Sequence, residues 1–465
     1  MMKHIHLIGI GGTGLSAIAR VLIERGYEVS GSDNNASIYF DATTALGATT
    51  YIGHSPENVV GADLVVRSSA VADDNPEVLA ARSSGIPVLK RSDFLKQLTE
   101  GQTTLAIAGT HGKTTTTGML ISILAELKQD PSFIIGAMLK PFNSNAKSGS
   151  GSYFVIEADE YDHMFLGLTP YIAVITNIEH DHPDCFPTPQ DYLNVFKDFL
   201  GKVEQGGTAL FCIDDPGVQN LMKILDPSTY RVITYGLHPK AEFQATNIQV
   251  NPEGLPEFDL VNHFPGIACQ YPGHVKMSIP GEHNVRNGLA ALAVSHLLGL
   301  NDQESIKALA GYQGTERRFE IAGVSNGITV IDDYAHHPTQ IHITLQAARQ
   351  RYPSARLWVV WEPHTYSRPA AFQDEYVTAL NIADQVIVTK IYAAREADTG
   401  YIPLPIVNAL SSTKARYLPD FSTVVDYLAD HLAENDVVLV LSAGNGPLIS
   451  KMLVSKLNLG NINSN

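Results

Sequence analysis

The run LAIAG (105–109) feeds GTHGKTTTT (109–117) and then the helical pattern GMLISILAEL (118–127), and this constrains the fold more than any other stretch. A short apolar strand that opens into a helix through a glycine-rich turn is the unit from which parallel sheets covered by helices are built. Such a turn leaves successive backbone N–H groups free at a helix N-terminus, where the helix dipole favours an anion. A lysine at position 113 would neutralise phosphate oxygens, and the Thr114 hydroxyl is a ligand for a divalent ion. Gly109, Thr110, His111, Gly112, Lys113, Thr114 and Thr115 are therefore candidate phosphate-site residues. The loop is shorter than the general G-x-x-x-x-G-K-[ST], which would need a glycine where Ile107 stands. A capped Gly/Thr turn without a ligand is the alternative.

The same alternation recurs along the chain. IHLIG (5–9) and YEVSGS (27–32) flank the amphipathic LSAIARVLIERG, while ADLVVRSS (62–69) and IPVL (86–89) flank NPEVLAARSSG. A polar stretch, LTEGQTT, then precedes the 105–109 strand, and GYQGTERRF (311–319) reads as a second linker. Between them, 240–280 turns proline-rich and strand-like, a small β excursion. Four further strand patterns follow: GITVIDD, LWVVWEPH, QVIVTKIY and VVLVLSAGNG. The expected fold is α/β with three domains: 1–99, 100–313 and 314–465. The 465-residue length agrees, at about 150 residues per domain. With 44% hydrophobic and 17% charged residues, general disorder is excluded. A net charge of −16 argues against a broad nucleic-acid surface. Cys185, Cys212 and Cys269 form no CxxC pair, so neither a disulfide framework nor a zinc–thiolate site is expected. No apolar run reaches the ~18–20 residues of a membrane span, and glycine interrupts the apolar N-terminus at once. These features predict a cytoplasmic location without membrane insertion.

Three further groups carry chemistry. GIGGTG (9–14) is a G-x-G-x-x-G on the first strand-to-helix turn, with Asp33 ending the next strand. Its glycines permit close approach to a diphosphate, and an acidic residue there bonds a ribose hydroxyl; a purely structural glycine turn is the alternative. EADEYDH (157–163) and NIEHDHPD (177–184) follow predicted strands, at the sheet edge where open α/β folds bind ligands. Glu157 and His182 suit Mg²⁺ or Mn²⁺ better than Zn²⁺, against the alternative of a solvated acidic loop. GEHNVRNGLAA, RRF, DDYAHHPT and EPHTYSR each end an apolar run with polar groups that, taken singly, read as hydrogen-bonded turns.

Taken in order, these motifs resemble the Mur ligase family over essentially the whole chain. Members are ATP-dependent amide ligases of bacterial cell-wall precursor synthesis, and the short phosphate loop is their own form. The resemblance implies a Rossmann-like N-terminal domain for a UDP-sugar, a central P-loop ATPase domain and a Rossmann-like C-terminal domain for an amino acid. It places the phosphate lysine at Lys113, the Mg²⁺ ligands at Thr114, Glu157 and His182, and the nucleotide asparagines at Asn284 and Asn287. Arg318 and Asp333 match an arginine and aspartate that reach the nucleotide on domain closure. Gly11, Gly12, Thr13, Gly14, Asp33 and Ser68 would hold the UDP-sugar, and Tyr334, His337, His364 and Arg368 the amino acid. Thr365 replaces an arginine found in some members. Lys197 lies near, but out of register with, a lysine that sister ligases carbamoylate. LSAGNGPLIS (441–450) departs from the related form and is assigned no role.

EPHTYSR and KIYAARE resemble the branch that joins L-alanine to UDP-N-acetylmuramate, with ATP and Mg²⁺ (or Mn²⁺). Three rivals remain: a recycling ligase that adds a preformed tripeptide, an NAD-dependent oxidoreductase, and a nucleotide-binding module without ligase activity. The first shares the ATP-side residues, the second leaves GTHGKTTTT without a task, and the third requires the site to be inert. The base that deprotonates the amine is not assigned; His182, His336 and His337 are chemically capable.

Overall fold

The computed structural model describes residues 3–226, 228–263, 270–394, 396–411 and 413–460. Cys269 lies outside these residues. The first block runs β1 (His4–Ile8), α1 (Thr13–Glu24), β2 (Glu28–Asp33), α2 (Ile38–Ala45), β3 (Thr49–Ile52), β4 (Leu64–Arg67), α3 (Pro76–Ser83), β5 (Val88–Lys90) and α4 (Arg91–Thr99). Its five strands form a parallel sheet in the order β3-β2-β1-β4-β5. The order reverses beside β1 and β4, so a crevice opens at their carboxyl ends, where the glycine turn 9–14 and Ser68 sit.

The second block runs β6 (Thr103–Ala108), α5 (Lys113–Glu126), β7 (Ser132–Leu139), β8 (Ser144–Lys147), β9 (Tyr153–Glu157), β10 (Ile172–Ile175) and α6 (Pro189–Leu200). It continues with β11 (Thr208–Cys212), α7 (Pro216–Lys223), β12 (Arg231–Gly236), β13 (Phe243–Val250), β14 (Pro256–Asn262), β15 (Gln270–Lys276), α8 (Glu282–Leu297) and α9 (Asp302–Ala310). The ten strands share one sheet, β15-β14-β13-β12-β11-β10-β6-β9-β7-β8, and the expected β excursion is the strands β13 to β15. β6 lies between β10 and β9, parallel to both, so three carboxyl ends meet at the phosphate-loop turn. Buried Ala106, Ala108, Ile175 and Ile156 lie in one core with Ile5, Leu7 and Val66 of the first sheet.

The third block comprises β16 (Glu320–Ser325), β17 (Ile328–Asp333), α10 (Pro338–Arg351), β18 (Leu357–Glu362), α11 (Ser367–Ala371), α12 (Gln373–Leu380) and β19 (Gln385–Val388). It ends with α13 (Leu404–Ala409), β20 (Ala415–Tyr417), α14 (Phe421–His431), β21 (Val437–Ser442) and α15 (Pro447–Gly460). Its sheet, β16-β17-β21-β18-β19-β20, is parallel apart from the edge hairpin β16–β17. Separate apolar clusters cover its two faces, one around Trp361 and Tyr376, the other around Trp358 and Leu453. Packing divides the chain into two compact units, because the first two sheets share a core. One unit holds 1–247, 258–275 and 286–313, and the other holds 248–257, 276–285 and 314–465. Among the described residues no helix is long and apolar enough to cross a membrane.

Candidate active site

The phosphate-loop turn is braced from the end of β10. The Thr110 hydroxyl donates to the Glu179 carbonyl at 2.9 Å and accepts from the Glu179 N–H at 2.9 Å. The His111 N–H donates to Asn177 Oδ1 at 2.8 Å, and the His111 ring meets Glu179 at 2.7 Å. Two glycines are required by the backbone. Gly109 has φ +132° with Thr176 Oγ1 only 2.0 Å from where a Cβ would stand. Gly112 has φ +80° as the N-cap of α5, with Asn287 Oδ1 2.6 Å from its Cβ position.

Lys113 Nζ donates to the Gly109 carbonyl at 2.6 Å and to Glu160 Oε2 at 2.7 Å. Burial works against its charge, but Glu160 and Asp159 outweigh burial and hold the ammonium above the ordinary lysine value. Burial pushes the Glu160 carboxyl up, opposed by Lys113. The Thr114 hydroxyl donates to Glu157 Oε1 at 2.9 Å, while the other Glu157 oxygen accepts from the Gly136 N–H at 2.7 Å. Thr115 is buried on α5. His182 adopts a left-handed φ of +54°, with its Nε2 4.0 Å from Glu160 Oε1. Asn287 accepts from the Thr116 hydroxyl at 3.2 Å, tying α8 to α5, and Asn284 donates to the Pro280 carbonyl at 2.7 Å. Lys197 is on the exposed face of α6, whereas Tyr192 of the same helix is buried at the loop; the lysine's register does not bring it to the site.

In the first sheet, Asp33 Oδ2 accepts from the Gly11 N–H at 3.0 Å, and the Ser37 hydroxyl donates to the Gly11 carbonyl at 2.7 Å. Ser68 Cβ lies 3.0 Å from the Cβ position of Gly9. Gly12 is the N-cap of α1 and Thr13 its first residue. A Cβ on Gly14 would meet the Arg91 guanidinium at 1.7 Å, so Arg91 covers the glycine turn. Sequence reading missed Arg91, as it missed Glu160 and Tyr192. All three come from distant segments, and only the last two letters of EADE hinted at one of them.

In the second unit, Arg317 and Arg318 both stack on Tyr334, at 4.9 and 5.1 Å from the ring centroid. Asp333, at the carboxyl end of β17, accepts from the Phe319 and Ala335 N–H groups, each at 2.7 Å; burial pushes its carboxyl up, against the pull of Arg318. Arg317 donates to the Ser442 carbonyl at 2.6 Å, so the 441–450 segment, which had no assigned role, anchors the RRF turn. Arg368, only 6% exposed, lies 3.1 Å from His364 Nδ1, and the His364 ring sits 5.3 Å from that of His336. His337 caps α10, accepting from the Thr339 N–H. Thr365 has a left-handed φ of +63° between His364 and Arg368.

A lysine and a helix N-terminus beside a hydroxyl–carboxylate pair form a site suited to phosphate and a hard divalent cation. Three family models match in succession: the Mur ligase family catalytic domain over 4–103, the Mur ligase middle domain over 107–295, and the Mur ligase glutamate ligase domain over 317–444. The chain belongs to the Mur ligase family. It is 41% identical to the UDP-N-acetylmuramate–L-alanine ligase of Alkaliphilus metalliredigens over 98% of each chain. Identity to the enzyme of the same name from Caldanaerobacter subterraneus is 39% over 95% of each. Among solved structures, the UDP-N-acetylmuramate–alanine ligase MurC from Thermotoga maritima matches with a TM-score of 0.81 at 28% identity, covering 99% of this chain and 100% of that one. A murein peptide ligase from Psychrobacter arcticus shares the fold, with a TM-score of 0.71 at 24% identity and 98% of each chain covered.

Proposed function

We propose that the chain joins L-alanine to the carboxylate of UDP-N-acetylmuramate, consuming ATP and making a peptidoglycan precursor in the cytoplasm. What carries this reading is the 41% identity to a relative of that name over 98% of both chains. The division of labour follows the three segments: 1–99 for the UDP-sugar, 100–313 for ATP, and 314–465 for the amino acid.

A carboxylate is a poor electrophile, so its oxygen first attacks the γ-phosphorus of ATP, ADP leaves, and an acyl phosphate forms. The alanine amine then attacks the acyl carbon. The tetrahedral intermediate expels phosphate, and one proton is lost from nitrogen. Lys113 and the N–H groups at the N-terminus of α5 neutralise charge on the transferring phosphoryl group. Thr114 and Glu157 offer hard oxygens 2.9 Å apart, which fits Mg²⁺; with His182 they would hold it, and it would supply charge neutralisation at the phosphates. Asn284 and Asn287 serve the nucleotide, and Arg318 and Asp333 have the same role by their match to the family's residues. Gly11, Gly12, Thr13, Gly14, Asp33 and Ser68 bind the UDP moiety, and Tyr334, His337, His364 and Arg368 bind alanine. Holding both reactants together lowers the barrier by up to ~7–11 kcal/mol.

The test is phosphate release with ATP, Mg²⁺ and UDP-N-acetylmuramate, comparing L-alanine, the preformed tripeptide and no acceptor. Release that depends on L-alanine, with the amide product seen by mass, is expected. Dependence on the tripeptide would overturn the acceptor, and no product with either would leave a binding module.

A further inference from the structure

Glu160 has no task in the reaction as written, yet it is 1% exposed and touches the phosphate-loop lysine. Its Oε2 holds Lys113 Nζ at 2.7 Å, and its Oε1 accepts from the Tyr192 hydroxyl at 2.9 Å. That hydroxyl also lies 3.0 Å from Thr110 Oγ1, which is itself fixed to the backbone of Glu179. One carboxylate thus links the lysine, the loop and the end of β10. The other two Lys113 contacts go to the carbonyls of Gly109 and Thr110, at 2.6 and 3.4 Å.

These three contacts respond differently to an arriving phosphate. A loop carbonyl is neutral and tolerates the loss of one donor. A carboxylate sealed from water does not, because an unpaired buried charge is strongly unfavourable. The carbonyl contacts are therefore the exchangeable ones, and the carboxylate contact persists. We infer that Glu160 is a positioning residue that tethers the Lys113 ammonium so that its remaining N–H groups face the transferring phosphoryl group, while its own charge lowers nucleotide affinity. This rests on the reading of the 109–114 turn as the ATP site.

Glu160→Gln keeps the side-chain shape and removes the charge. In the free protein Lys113 then loses the carboxylate bonded to it, with Asp159 still acting on its charge, and phosphate restores a bonded anion. ADP should therefore bind about three- to tenfold tighter. With the ammonium untethered, kcat should fall about ten- to a hundredfold. Glu160→Asp retains the charge but draws the ammonium back by one methylene, so kcat falls with ADP affinity near wild type. General damage to the site would weaken binding and turnover together. Calorimetric titration with ADP and Mg²⁺, alongside steady-state kinetics, separates the cases. If wild-type protein does not bind ADP, the loop reading fails. If it does bind, and Glu160→Gln binds ADP no tighter or turns over at the wild-type rate, the role of Glu160 alone is refuted. Should Glu160→Gln not fold, Lys113→Ala with and without Glu160→Gln decides by thermal midpoint. The double variant should melt above Lys113→Ala, and an equal or lower midpoint would overturn the pairing.

Discussion

Replacing Glu77 by Gln should destabilise the first sheet by an amount that depends on pH. Glu77 lies on the first turn of α3 with no exposed surface. It accepts from Ser32 Oγ at 2.5 Å and Asn58 Nδ2 at 2.6 Å, and it lies 3.2 Å from His54 Nδ1 and 3.7 Å from His6 Nε2. Burial pushes its carboxyl up, but the nearby His6 ring and the bonds from Ser32 and Asn58 outweigh burial and bring it down to about 2, from 4.5. At about 1.4 kcal/mol per pKa unit, this difference amounts to about 3 kcal/mol of stability. Because the folded value is depressed, the contribution is complete above about pH 4.5 and is lost as pH falls towards 2. Glutamine does not titrate, so the gap between wild type and Glu77→Gln should be about 3 kcal/mol at pH 7 and narrow by about 1.4 kcal/mol at pH 3.5. Hydrogen exchange of the β1, β2 and β4 amides reads the opening free energy of this sheet without assuming that the whole chain unfolds in one step. A gap under about 1 kcal/mol at pH 7, or one that does not change with pH, would refute the reasoning.

Lys113→Ala should abolish amide formation while far-ultraviolet circular dichroism stays native, since it deletes phosphate neutralisation and no apolar packing; near-wild-type turnover would refute the loop assignment. Arg368→Ala should raise the amino-acid KM far more than the ATP KM, because its guanidinium lies 3.1 Å from the His364 ring; an unchanged amino-acid KM would move the carboxylate site elsewhere. Burial pushes the Cys212 thiol up to about 12, so at pH 8 it should resist alkylation in the folded protein and label only in denaturant. Cys185 is partly exposed and serves as the internal comparison in a peptide-mapped alkylation; equal labelling of the two would contradict the packing around Cys212.

Local signals in the chain were legible because their physics is local. A β-branched run, a glycine turn and an amphipathic helix each have a period or a breaker, and β1, β6, β9, β10, β17, β18, β19 and β21 stand where those signals lie. Residues 109–115, in the turn after β6 and the start of α5, and the carboxylate Glu157, at the end of β9, follow from their place at strand ends. What was not legible is long-range. Glu160 is 47 positions from Lys113, and Tyr192 is 82 from Thr110, so no spacing rule links them. EADEYDH offers two glutamates, and only the turn after β9 decides that Glu157 faces Thr114 while Glu160 faces Lys113. Nor does any linker composition reveal the core shared by the first two sheets, which brings together residues as far apart in sequence as Arg25 and Phe154, the guanidinium lying 5.7 Å from the ring centroid.

The shortness of the phosphate loop has its explanation in β10. A loop of the general form encloses a phosphate with its own residues, whereas G-T-H-G-K-T has two fewer between its glycines. Here the short turn is braced by TNIE (176–179). Thr176 Oγ1 and Asn177 Nδ2 both donate to the His111 carbonyl, at 2.7 and 2.9 Å, and the Thr110 N–H donates to the Asn177 carbonyl at 3.0 Å. The pairing of Ile175 with Ala108 brings these residues level with the turn. A slip of one residue would exchange the faces of β10 and remove Thr176 from the turn. The loop's shape is therefore a property of two adjacent strands in register, and a lysine held by a third segment, through Glu160, completes it.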